Sequence, residues 1–356
     1  MSTITCEDGH VYVAVTKQSR DFASEESYKI LSGSLELVTS PPFASNVLRT
    51  DEFCLIASTN NQYTFRMKDA AEPHGDSWSS GSWASVAGVY GNIVFKGFMI
   101  ENQEENFALS LHYPIMKTQE WKTFTSTSSI ASDWTGLNFG DSNWTSATMG
   151  TAPAMTGTQY FRKTFTGIAD MAAYEYRFNY RYGIIAYVNG KEVFRDNMDS
   201  GAATPSTPSS GAYDSTVYHG IILPASLISS STPNLLAVEL HFPTLNETVV
   251  DFNAFMASVA SSIAGDSSNL CFVYPYPVTI DATGLSSANL FDHKRTSYYS
   301  ATTLPSVITF AFTGPRPTLN GLRVFTASSY TSSPTSFQWE GSRSADAWHS
   351  VISVSG

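Results

Sequence analysis

Apolar and polar residues alternate with period two along the first third of the chain, in Val11-Tyr12-Val13-Ala14-Val15, Ser34-Leu35-Glu36-Leu37-Val38 and Gln62-Tyr63-Thr64-Phe65-Arg66-Met67. Alternation sends successive side chains to opposite faces, so each run predicts a strand with one buried face and one wet face. Further strands are expected at 92–99 and 107–112, with Pro41-Pro42 and Asn60-Asn61 as turn-formers between runs. After Trp121 and a loop-rich stretch at 133–144, the pattern predicts strands at 159–165, 174–180, 184–188, 192–194 and 235–241. Asn189-Gly190 lies between two of these and predicts a two-residue hairpin turn, because both residues tolerate the positive φ it requires. Residues 200–213 are rich in Ser, Pro, Gly and Ala and are expected to form a long surface loop. Residues 249–256 fit both a helical stripe (Phe252, Phe255, Met256, Val259) and a strand face (Val250, Phe252, Ala254, Met256). Their all-β surroundings favour the strand.

A chain of 356 residues exceeds one ordinary domain. The expectation is an all-β protein of three consecutive β-sandwich (jelly-roll) modules, at 1–117, 118–262 and 263–356. Composition agrees: 13% of residues are aromatic and only 14% are charged, against a usual ~25%, so the polar surface must be largely Ser and Thr. Such residues suit the pleated faces of sheets better than long helices.

Tyr160-Phe161-Arg162-Lys163-Thr164-Phe165, then Tyr187-Val188-Asn189-Gly190-Lys191-Glu192-Val193, then Asn234-Leu235-Leu236-Ala237-Val238-Glu239-Leu240-His241 resemble, in that order, the galactose-binding-like jelly roll. The resemblance covers about 120 residues. It implies a sandwich of the kind found in sugar-binding modules that accompany β-galactosidases, and does not imply hydrolysis. Residues 288–292, 307–312, 333–342 and Trp348 are similar to the first half of a discoidin-like domain, a jelly roll that commonly recognises glycans or membrane surfaces through loops at one end. The later strands of that family have no counterpart before Gly356, which implies an incomplete sheet; either the missing strands follow Gly356 in a longer protein, or a strand from a neighbouring subunit completes the edge.

A net charge of −11 and the lack of any basic run exclude nucleic acid and anionic membrane surfaces as expected partners. No stretch reaches the ~20 apolar residues of a membrane span, and no signal peptide is visible. Cys6, Cys54 and Cys271 lack metal-ligand spacing; a Cys6–Cys54 bridge and simple buried thiols both remain open. The sequons at Asn143 and Asn246 are candidate glycosylation sites if the chain is secreted.

Catalytic patterns are missing. There is no Gly-x-Ser-x-Gly elbow, no phosphate-cradling glycine loop and no metal-binding histidine pair. Carboxylates such as Glu104, Glu105, Asp292 and Glu340 sit in no recognisable pairing for glycoside cleavage. Recognition by loops remains, in which a ring stacks on a sugar while Asp or Asn bonds its hydroxyls. The candidates are Trp78 and Trp83 beside Asp76, and Trp134 and Trp144 beside Asp133 and Asp141, with core packing the plainer alternative for each tryptophan. No cofactor is expected, although Asp133 or Asp141 with loop carbonyls is a candidate calcium site.

The expected function is therefore a non-catalytic extracellular or cell-surface structural and adhesive protein that assembles with other chains, with glycans as candidate ligands. Two alternatives stand beside it: the accessory, carbohydrate-binding portion of a larger carbohydrate-active enzyme, or a free-standing lectin.

Overall fold

In the computed structural model the described residues are 4–70, 78–79, 81–97, 99, 103–149, 157–212, 218–244 and 251–260, followed by the backbone of several strands up to Ser355. The chain is all-β, and among the described residues there is no α-helix.

The N-terminal part contains β1 (His10–Gln18), β2 (Glu26–Ser32), β3 (Leu35–Thr39), β4 (Leu48–Ile56), β5 (Gln62–Asp69), β6 (Trp83–Ala87), β7 (Ile93–Gly97) and β8 (Glu104–Ser110). They form two four-stranded antiparallel sheets, ordered β4-β1-β6-β7 and β3-β2-β5-β8. The alternation predicted for β1 and β5 is realised: Val13 and Val15 from one sheet, and Phe65 and Met67 from the other, are fully buried in the shared core. Tyr28, Phe65 and Phe95 run through it with ring centres 5.4 and 5.2 Å apart. Lys17 occupies an inward position of β1, where an apolar residue would be expected. Its ammonium meets Glu26 at 2.5 Å and lies 4.0 Å from the centre of the Trp78 ring. Cys6 and Cys54 form a disulfide with Cα atoms 5.5 Å apart, which ties the N-terminal segment to β4 and resolves the alternatives left by spacing.

The middle part contains β9 (Glu120–Ser126), β10 (Thr145–Thr148), β11 (Thr158–Phe165), β12 (Ala173–Tyr180), β13 (Gly183–Val188), β14 (Lys191–Asp196), β15 (His219–Pro224), β16 (Asn234–His241) and β17 (Phe252–Val259). A six-stranded sheet, β10-β9-β11-β16-β13-β14, faces a three-stranded one, β15-β12-β17. Phe161, Val238 and Leu236 of the first meet Tyr176, Phe178 and Met256 of the second. Residues 252–259 are a strand, as their surroundings implied, while Val249 and Val250 lie outside the described residues. Asn189 (φ 51°) and Gly190 (φ 83°) form the expected hairpin turn. Residues 200–212 carry no strand, as expected of a loop.

These two parts are in direct contact. Segment 111–116 runs along the free edge of β17, where Met256 N donates to Ile115 O and Ser258 N donates to His112 O, both at 2.9 Å. Tyr90 and Tyr113 then cover Phe255 on the outer face of the three-stranded sheet, with ring centres at 4.8 and 6.1 Å. Beneath them Glu175 is buried in an ion pair with Arg177, and burial raises its carboxyl pKa.

Further along the chain are β18 (Ser261–Ile263), β19 (Asp266–Leu270), β20 (Val278–Ala282), β21 (Gly284–Leu285), β22 (Ser300–Ala301), β23 (Ile308–Phe312), β24 (Ser336–Ser342) and β25 (Trp348–Ser355). They pair as β18-β19, β20-β23, β21-β22 and β24-β25. Of the segments that carry the discoidin-like resemblance, β23 and β24 cover residues 308–312 and 336–342, whereas Cys271 and residues 288–292 lie outside the described residues.

Candidate functional site

The outer face of the six-stranded sheet concentrates the polar chemistry of the middle part. On β11 and β16, Phe161 and Val238 point to the main core, so their neighbours Tyr160, Arg162 and Glu239 point the other way. Residues 127–144 fold over this face as a second hydrophobic layer. Trp134 and Trp144 stack at 6.4 Å; Trp134 also meets Tyr160 edge-on at 5.0 Å, and Trp144 stacks on Phe124 at 5.4 Å.

Arg162 fastens this cover. It is 3% exposed, its Nε donates to Asp141 Oδ2 at 2.9 Å, and its Nη1 donates to the carbonyls of Trp134 and, at 3.0 Å, of Gly136. Its guanidinium also stands 5.1 Å from the Phe139 ring. A planar fork with several fixed donors suits this task, since it satisfies loop carbonyls that would otherwise be buried without partners.

Next to it lies a chain of polar groups. Tyr187 Oη donates to Glu239 Oε1 at 2.7 Å, and the other carboxylate oxygen is 3.3 Å from His241 Nε2. His241 is fully buried with Nδ1 3.0 Å from the Thr207 carbonyl, which can only accept, so Nδ1 carries the hydrogen. Negative charge on Glu239 also holds the Tyr160 and Tyr187 phenols protonated, after the larger effect of burial. A small depression lined by Thr158, Pro205, Thr207 and Phe242 opens next to this histidine. Chemically the arrangement fixes loops to the sheet, and its carboxylates, Asp141 and Glu239, both have partners within the fold.

The residues predicted from sequence are therefore distributed as follows. Trp134 and Trp144 are 7% exposed and Trp78 is 2% exposed, with Nε1 of Trp78 donating to the Lys68 carbonyl at 2.8 Å. At these three positions ligand stacking and core packing were both open readings; all three rings are buried among protein side chains, which matches the core-packing alternative. Asp141 is bound to Arg162, whereas Asp133 and Asn143 are exposed. Asp76 and Asn246 lie outside the described residues. Trp83 is half-buried on the outer face of β6, five residues from the buried Trp78. Among the described residues no group of three His, Cys, Asp or Glu side chains is placed to hold a metal ion. Sequence reasoning missed Arg162, Tyr187, Glu239 and His241. The available signal was a charged or ionisable residue interrupting an otherwise apolar strand, as in Tyr160-Phe161-Arg162 and Val238-Glu239-Leu240-His241.

No protein-family profile matches the chain, and no curated protein sequence does. Among solved structures the chain is similar to a β-glucuronidase from Bacteroides uniformis (15% identity, TM-score 0.31), over 48% of this chain and 20% of that one. A β-glycosidase from Bacteroides vulgatus is similar over 48% and 22%, at 11% identity and a TM-score of 0.29. A lectin from Pleurotus ostreatus is similar over 72% and 70%, at 13% identity and a TM-score of 0.24. The match thus spans about a fifth of the length of the two glycosidases. Similarity at this level assigns neither a family nor an activity.

Proposed function

We propose that the chain is a non-catalytic structural and adhesive protein of the cell surface or extracellular space, a row of β-sandwiches that contacts glycans and other chains. In this reading the middle sandwich is a galactose-binding-like module and the C-terminal strands belong to a discoidin-like one. The observation that carries the reading is that both faces of the middle sandwich are closed by the same chain: residues 127–144 on one side, Tyr90, Tyr113 and segment 111–116 on the other. Its ionisable groups are spent on joining layers, which makes a stiff spacer with contact surfaces at its loops and edges. The Cys6–Cys54 disulfide supports an oxidising compartment, where such bonds persist.

The test has two arms. Purified protein is assayed on chromogenic glycosides and esters, and its binding to a glycan array is measured alongside light scattering across a concentration series. Binding to glycans, mass that grows with concentration, and no turnover are expected. Turnover that co-purifies with the chain and is lost in Glu239→Gln would overturn the non-catalytic reading. A strictly monomeric species that binds no glycan would overturn the adhesive one.

A further inference from the structure

The outer face of the sheet β4-β1-β6-β7 is a surface with a definite chemistry. Val13, Val15, Leu55 and Val86 face the core, so the residues between them face away. Cross-strand register places Thr50, Thr16, Ser85 and Lys96 in one row over four strands, and Glu52, Ala14 and Ala87 in the next. Thr16 and Thr50 bridge their hydroxyls at 2.9 Å. The middle of this face is therefore a low floor of Ala, Ser and Thr.

Its two ends stand higher. At one end Trp83 lies across from Gln18, with the Lys96 ammonium 4.7 Å from the ring centre. At the other, Tyr12 donates to Glu52 at 2.5 Å, which together with burial raises the phenol to about 12. Cys54, opposite Tyr12 in register, carries the disulfide that pins the N-terminal segment at that end. Tyr12 and Gln18 are six residues apart on β1, so the rings bound a trough roughly 20 Å long.

We infer that this trough is a binding site for a neutral polysaccharide chain. Its one carboxylate accepts the Tyr12 hydroxyl, its one ammonium is engaged with the Trp83 ring and the Gln18 amide N–H groups donate to the Ser19 and Val47 carbonyls, which leaves neutral hydroxyls, the Gln18 amide oxygen, the exposed Leu48 side chain and aromatic edges to meet a ligand. That set matches a polyhydroxylated chain, whose hydroxyls pair with Thr, Ser and Gln while its C–H faces stack on the rings. An anionic ligand would find no uncommitted cation in it. A protein partner needs roughly 800 Å² of complementary surface per side with aromatic or Arg anchors at its centre, and here the centre is Ala, Ser and Thr. A trough open along its length takes an internal stretch of a polymer rather than a chain end. The inference rests on the adhesive reading and gives it a ligand class and a place.

The experiment is affinity electrophoresis of the full chain in native gels that contain mixed-linkage β-glucan, xylan, galactomannan or mannan. Retardation by at least one polysaccharide is expected. It should weaken about tenfold in Trp83→Ala, the loss of one stacked ring, and vanish in Thr50→Arg, which fills the floor. Thr50 is exposed and Trp83 half-buried, so both variants should melt close to the parent; Lys191→Ala, at an exposed position of β14 in the middle part, should bind like the parent. Retardation that survives both Trp83→Ala and Thr50→Arg would overturn this site and leave the adhesive reading standing. The site would equally be lost, and the adhesive reading kept, if none of the four polysaccharides slowed the chain while the glycan array still recorded binding. Silence in both assays would overturn the site, and with a strictly monomeric species in light scattering the adhesive reading as well.

Discussion

The ammonium of Lys117 stands 3.9 Å from the centre of the Tyr218 ring, and the rings of Tyr90 and Phe255 lie 4.9 and 5.1 Å from the same nitrogen. Tyr90 comes from the N-terminal sandwich, Phe255 and Tyr218 from the middle part, and Lys117 from the segment that joins them. Burial and the nearby Arg177 charge lower the lysine pKa, so the rings stabilise a cation that the site otherwise disfavours. One side chain thus connects three pieces of the joint.

Replacing that cation should loosen the joint. Lys117→Met is expected to lower stability by about 1–2 kcal/mol, the worth of a partly desolvated cation–π contact, measured as a shift in urea midpoint. Gly88→Ala probes the same joint by space alone, because a Cβ there would lie 1.9 Å from Tyr113 Oη, which itself donates to Asn92 at 2.7 Å. Faster proteolytic cleavage within 111–119 is the expected sign; an unchanged cleavage pattern would remove the joint from the account.

Arg162 should control the cover over the six-stranded sheet. Arg162→Met leaves Asp141 and the carbonyls of Trp134 and Gly136 without their donor, which should cost roughly 3 kcal/mol. Tryptophan fluorescence should move to the red as Trp134 and Trp144 meet water. Arg162→Lys keeps the charge without the fork and should recover little. A blue, parent-like spectrum in both variants would contradict this role.

The buried pair Lys17–Glu26 predicts an asymmetry between single and double replacement. Both side chains are 1% exposed, and Glu26 Oε1 also accepts the Ser79 backbone N–H at 2.8 Å. Glu26→Leu alone strands an ammonium whose pKa burial already lowers, and should cost about 3–5 kcal/mol. The double variant Lys17→Met/Glu26→Leu should regain most of that loss. Additive costs in a thermal-melting double-mutant cycle would show the pair to be uncoupled.

His219 sets an acid limit. It is 2% exposed with Tyr180 4.7 Å away, and burial lowers its pKa from 6.5 to about 4, with Asp196 offsetting part of the shift. The unfolded chain therefore binds a proton that the folded chain refuses between those two values. Its contribution is fully present above pH 6.5 and is lost as pH falls toward 4, by roughly 2 kcal/mol in all. His219→Phe should flatten the stability profile between pH 6.5 and 4, and the same slope in parent and variant would assign it to other groups.

The alternation of β1 and β5, the apolar run of β16 and the Asn-Gly turn were legible in the sequence because they follow from local geometry: a strand has period two, and a two-residue hairpin needs positive φ. Other strands were not. Leu48–Ile56, β4, reads LRTDEFCLI with little alternation, since as an edge strand it buries only part of one face. Nothing local distinguished Trp83, left half-exposed on a sheet, from Trp78, Trp134 and Trp144, each buried; that depended on contacts tens of residues away. Nor could spacing decide whether Cys6 reaches Cys54, or show that Asn189, besides turning the chain, accepts from Leu235 N and donates to Leu227 O. The sequence by itself determined the period of the strands and the places where they turn, because those depend on neighbours along the chain. Only the tertiary structure decided which side chains a second layer would cover, because burial depends on what the rest of the chain brings to each face.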